Sequence, residues 1–136
     1  MVALSQDRLT TRRAGDHVAG PVAAGVVIYD GALVARNAAG DIVPGSASPS
    51  LKACGVATER ANAAGLSAGA MLIVYAKGVF CFANEPTDPI TKADIENNAW
   101  IVDDQTVART NGGATRSVAG RIVDVDAAGV WVRIGL

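Results

Sequence analysis

From residue 22 onward the chain is organised as short runs of alternating apolar and polar residues, broken by turn signals. The clearest alternation closes the sequence, in GRIVDVDAAGVWVRIG (120–135). There Val130, Val132 and Ile134 share one side of a strand while Trp131 and Arg133 share the other, the period of two expected of a half-buried strand. The run before it sets Val123 and Val125 against Asp124 and Asp126, so the two runs read as a hairpin. VVIYDGALVAR (26–36) predicts two strands joined at Asp30-Gly31, a dipeptide suited to the positive φ of a tight hairpin turn. MLIVYAKGVFCFA (71–83) predicts a second hairpin with Lys77-Gly78 at its tip. WIVDDQTVART (100–110) predicts a looser pair around Asp103-Asp104.

Three near-identical words recur: NAAG at 37–40, NAAG at 62–65 and DAAG at 126–129. Asx first and Gly fourth is a turn signature, because the Asx side chain bonds backbone two residues on and glycine takes the left-handed conformation that follows. A phosphate cradle would open onto a long helix, and none follows any copy. For the DAAG copy, strand alternation favours an even register that pairs Val125 with Val130 or Val132. A three-residue loop would instead set Asp126 opposite Val130.

Only TKADIENNA (91–99) reads as a helix, with Thr91 as N-cap and Asp94 completing an acidic capping box. Residues 1–20 lack a steady apolar period and crowd Asp7, Arg8, Arg12, Arg13 and Asp16 before Gly20-Pro21, as an extended arm would. The resulting expectation is a mainly β protein. Residues 21–136 form a single small antiparallel β-barrel or β-sandwich with one short helix, preceded by an N-terminal arm.

Composition narrows the function. At 136 residues the chain has room for one domain, and its two Phe, two Tyr and two Trp leave the core to Val, Ile, Leu and Ala. Twelve Lys and Arg against thirteen Asp and Glu give a net charge of −1. That balance offers no basic field for nucleic acid. No apolar run approaches the roughly 20 residues of a membrane span, and the N-terminus shows no hydrophobic secretory core. Cys54 and Cys81 lie in β-like runs and read as buried, reduced thiols.

Candidate chemistry is sparse. His17, the only histidine, lies in the arm, where no partner fixes it as a general base. Ser46, Ser48 and Ser50 belong to a loop, PGSASPS, without a nucleophile elbow. The pairs Asp103/Asp104 and Asp124/Asp126 read as turn acids and as outward acids facing Arg133 across the hairpin. Lys77 at a hairpin tip would be the placement of a lipoyl or biotinyl carrier lysine, but its neighbours Ala76 and Gly78 do not match such domains. No catalytic residue, cofactor or metal site is expected. Trp131 beside Arg133 on an outward face has the character of a protein-interface anchor.

Four stretches taken together, DRLTTRRAGD (7–16), PVAAGVVIYDGALVARNAAGDIVPGS (21–46), GVFCFAN (78–84) and the final WIVDDQTVARTNGGATRSVAGRIVDVDAAGVWVRIG (100–135), resemble tailed-bacteriophage capsid cement proteins. These are also called decoration or minor head proteins. The resemblance implies a β-domain on the outer surface of the virion capsid, made in the host bacterial cytoplasm and often trimeric. Its partner would be the major capsid protein, clamped to its neighbours after the shell expands. In that setting Arg8, Arg12 and Arg13 of the arm could form bidentate pairs with capsid carboxylates, and Trp131 and Arg133 would serve a capsid or subunit contact. The alternative is a tail, baseplate or receptor-contacting domain.

Overall fold

A computed structural model describes residues 2–13 and 15–136. Its strands in chain order begin with β1 (His17–Pro21), β2 (Val27–Ile28), β3 (Leu33–Arg36) and β4 (Ile42–Pro44). They continue with β5 (Lys52–Ala57), β6 (Ala61–Asn62), β7 (Leu72–Ala76) and β8 (Gly78–Asn84). The last four are β9 (Asn98–Ile101), β10 (Thr106–Ala108), β11 (Val118–Asp126) and β12 (Gly129–Ile134). The protein is mainly β, as its alternation predicts.

Two layers of sheet share the work of burial. The first is antiparallel, in the order β1-β7-β5-β3-β4. Just past β1, Val22 makes a parallel bridge to Ile42 of β4, so this sheet curls until its two edges touch. Val22, Ile28, Val34, Ile42, Ile73 and Tyr75 fill its interior. The second layer is a closed five-stranded barrel, β10-β8-β12-β11-β9, cored by Phe82, Ile101, Val107, Ile122, Val130, Val132 and Ile134. Leu33 joins the layers, since its strand belongs to the first sheet while its side chain packs in the barrel core. Its N–H donates to the Asp104 carbonyl at 2.8 Å. β2 and β6 form a small separate pair.

The terminal hairpin forms as expected, with Val125 opposite Val130 and Asp126 opposite Gly129. Val123 is an extra residue on β11, because Ile122 pairs with Val132 and Asp124 with Trp131. This bulge resets the alternation, so that Arg121 and Asp124 are both exposed although three positions separate them. β9 and β10 pair antiparallel around the Asp103-Asp104 turn. All three Asx words are turns: Asn37, Asn62 and Asp126 each accept a backbone N–H two residues on at 2.9–3.0 Å.

Two expected hairpins do not form. At Tyr29–Ala32 the chain does turn, with Ala32 N–H donating to the Tyr29 carbonyl at 3.1 Å. Of the central residues only the second, Gly31, takes a positive φ (86°), whereas the twist-matched turns of a two-residue hairpin need it at the first. β2 therefore pairs with β6, and β3 with β4 and β5. At Lys77 the chain does not reverse. β7 belongs to the first sheet and β8 to the barrel, so Lys77 marks a crossing between layers instead of a tip. Its N–H donates to the Asp16 carbonyl at 2.8 Å.

The helix shrinks to one 3₁₀ turn at Lys92–Asp94. Ile95 is extended and Glu96 has φ 76°, so the backbone leaves helical geometry within a turn and enters β9. At the other end, β1 takes His17–Pro21 into the first sheet, while residues 2–13 are exposed and carry no strand or helix.

Close approach of backbones in the barrel depends on glycine at two crowded points, Gly120 and Gly129. A Cβ on Gly120 would collide with the Arg133 carbonyl of the neighbouring strand. Gly120→Ala is expected to cost about 1–3 kcal/mol by overpacking, read as a lower midpoint in denaturant unfolding. An unchanged midpoint would contradict this packing.

Candidate functional site

The most distinctive surface is the outer face of the barrel where β8, β12 and β11 lie side by side. Inward side chains of β12, namely Val130, Val132 and Ile134, are fully or almost fully buried. Between them Trp131 is half-buried and Arg133 exposed, as the alternation predicts. Cross-strand register aligns this face in three rows. One row holds Arg121, Arg133 and Val79, the middle row Asp124, Trp131 and Cys81, and the last begins with Asp126 and Gly129. Val79 is 43% exposed, and Cys81 is exposed as a free thiol. Asp126 fixes the tryptophan by accepting a hydrogen bond from its Nε1 at 2.9 Å.

The acids of β11 are outward, as expected, but Arg133 does not face them. Its cross-strand neighbour is Arg121, because the bulge at Val123 shifts the pairing. Asp124 lies opposite Trp131 and reaches Lys92 at 3.9 Å. Cys54 is buried in the first sheet, and burial raises its thiol pKa. Cys81, expected to be buried, instead stands on the outer barrel face. Partial desolvation and then the charge of Asp126 push its thiol pKa upward.

The remaining candidates disperse. Arg8, Arg12 and Arg13 lie in the exposed N-terminal stretch with Leu4 and Leu9, of which Leu9 is 98% exposed. His17 starts β1, exposed, with Nδ1 3.5 Å from the Asp16 carboxylate. Lys77 lays its aliphatic stem against Gly135. Ser48 is held through its carbonyl, which accepts the Ser117 hydroxyl, and so serves the loop's conformation. Asp104 lines an open hollow of about 360 Å³ with Tyr29, Asp30 and Gln105. No group of three metal-ligating side chains occurs among the described residues, nor is any helix there long and apolar enough to cross a membrane.

Two polar networks brace the barrel rim, one of them built on the Thr91–Asp94 pair that the sequence marks as a capping box. The Asp88 carboxylate accepts from Thr110 N–H (3.0 Å), Thr110 Oγ1 (2.6 Å) and Arg116 Nη1 (2.9 Å). The Thr110 bonds, with Arg116 behind them, hold its pKa below the ordinary value. Asp94 accepts from Thr91 N–H at 2.8 Å, from Thr91 Oγ1 and from Arg109 Nε at 3.3 Å. The backbone bond from Thr91 leads in lowering its pKa too. A sequence signal existed only for Asp94, through the capping-box spacing. Nothing in the spacing of Asp88, Thr110 and Arg116 announces their meeting.

No protein family, curated protein or solved structure matches the chain in comparison. The arrangement therefore has to be read on its own chemistry. It consists of hydrogen-bonded structural carboxylates, an amphipathic outer barrel face and an uncovered basic-apolar N-terminal stretch.

The two lowered carboxylates set an acid limit. Each folded pKa lies below the ordinary value of 3.8, so each contributes stability that is complete above that value and is lost as pH falls through the folded one. Melting temperature should fall on acidification below pH 3.8. Asp88→Asn should lose about 1 kcal/mol near neutral pH and show a shallower acid decline. Equal acid slopes in the two proteins would remove Asp88 from this account.

Proposed function

We propose that the protein is a non-enzymatic capsid cement protein that binds the outer surface of an expanded phage head and ties neighbouring major capsid subunits together. The observation that carries this reading is the N-terminal stretch. Val2, Leu4 and Leu9 are 93%, 73% and 98% exposed on a chain whose two cores are already filled. Apolar side chains spaced among Arg8, Arg12 and Arg13 gain burial and bidentate pairing when laid across an acidic or amphipathic neighbour. The extended phrase resemblance to capsid cement proteins supports the same partner.

The mechanism is linkage. A protein that binds the expanded lattice better than the unexpanded one shifts the shell toward expansion by its differential binding free energy, with no chemical step. A homotrimer multiplies weak contacts, since each first contact raises the effective concentration of the next. Net charge of −1 limits repulsion among crowded copies. The Trp131–Arg133 face supplies a second surface for capsid or subunit contact.

Purified protein is expected to co-sediment saturably with expanded, undecorated capsids and not with unexpanded procapsids. Binding to neither shell by folded protein would overturn the proposal in favour of a tail or receptor role. Deleting residues 1–13 spares the Asp16 carbonyl that holds Lys77. That deletion should lower capsid affinity at least about tenfold, the loss of roughly 1.4 kcal/mol, and leave the melting temperature unchanged. Full occupancy by the truncated protein would take the N-terminal stretch out of the mechanism.

A further inference from the structure

The outer barrel face combines features that the folded chain leaves uncompensated. Arg121 and Arg133 are direct cross-strand neighbours, an arrangement that costs stability through like-charge repulsion. Neither makes an ion pair with a described residue, and Arg121 donates only to the Glu96 carbonyl at 2.9 Å. At the opposite end of the same face Asp126 holds its two bonds from neutral donors, Ala128 N–H and Trp131 Nε1, so its charge is likewise unpaired. Between the two ends lie Trp131 and Cys81, with Val79 flanking the arginines.

We propose that this face pairs with the same face of a second copy, about a twofold axis that lies in the interface and crosses the strands. The charge order selects this geometry. Such an axis reverses the rows, carrying Arg121 of each copy over Asp126 of the other and Arg133 over Gly129, where no side chain obstructs it. The two Trp131 and the two Cys81 then meet near the axis. A twofold running along the strands would stack the arginine row on itself. The middle-row Asp124 of each copy is already compensated by Lys92 at 3.9 Å. Sheets packed face to face lie roughly 10 Å apart, within reach of both arginine side chains.

This contact does not depend on capsid binding. An isologous face closes at two copies, and with a threefold contact elsewhere it joins trimers in pairs. It gives the charges of Arg121 and Asp126 a role beyond their hydrogen bonds to Glu96, Ala128 and Trp131.

The test uses the full chain in solution, without capsids. Sedimentation velocity at about 100 µM, some tenfold above a micromolar-range dissociation constant, should give even-numbered assemblies. A short bis-maleimide should join two chains through Cys81. The cross-link should vanish in Cys81→Ser and persist in Cys54→Ser. Arg121→Glu should weaken association at least about tenfold, whereas Arg121→Lys, which keeps the positive charge over Asp126, should retain most of it. Monomers, odd-numbered assemblies alone, dimers that do not cross-link through Cys81, or indifference to Arg121→Glu would each overturn the proposal. Cross-linking of the unaltered chain decides the matter even if a charge variant fails to fold. Failure here leaves the cement reading to the co-sedimentation result.

Discussion

Closure of the barrel rests on a short parallel ladder, Thr106 to Ala83 and Val107 to Asn84, between β10 and β8. It is the only parallel pairing among the strands of the barrel; every other neighbour is antiparallel. Ala83 N–H donates to the Gln105 carbonyl at 2.8 Å and Glu85 N–H to that of Val107 at 3.0 Å, extending the seam at both ends. Asn84 clamps Ile90 with two 2.8 Å bonds, which turns the chain back and drops the Ile90 side chain into the core. Asp88 then holds Thr110 and Arg116 just beyond β10. Without this seam β8 and β10 would be open edges, and the aliphatic interior would lie beside unpaired backbone.

A closed barrel with filled cores has its inward positions committed to packing. The outer half of each alternating strand and the exposed N-terminal stretch stay open to contacts. The design suits a protein that acts by contact: Trp131 is presented on a rigid ladder, held at its Nε1 by Asp126, and the residues around it are sorted by charge along the strand direction. On the proposed reading, docking through this face would cost little conformational entropy, because its side chains stand on a rigid ladder, and docking through the extended N-terminal stretch would cost more.

Local chemistry was the legible part of the sequence. The Asx words predicted turns because their hydrogen bonds lie within four residues, and the β12 alternation predicted which side chains face inward because burial follows a period of two. Partner choice over long range was not legible. Asp30-Gly31 and Lys77-Gly78 look like hairpin tips, yet what decides whether a chain folds back is the φ of both turn residues and the sheet that each flanking strand joins. The bulge at Val123 shows in the sequence only as the adjacent apolar pair Ile122-Val123, and that break does not by itself say which residue faces Arg133. In the candidate surface, Trp131 and Arg133 were readable from alternation alone. Arg121 and the exposure of Cys81 required knowing that β8 and β11 flank β12.

The central claim is that this β-domain works as a contact protein on an expanded phage shell, and imaging the particle tests it most directly. Electron cryomicroscopy of expanded phage heads incubated with the purified protein should, on the proposed reading, place its two β-layers on the outer capsid surface, with the N-terminal stretch lying across a neighbouring major capsid subunit. Shells that carry no density for the domain would contradict the account.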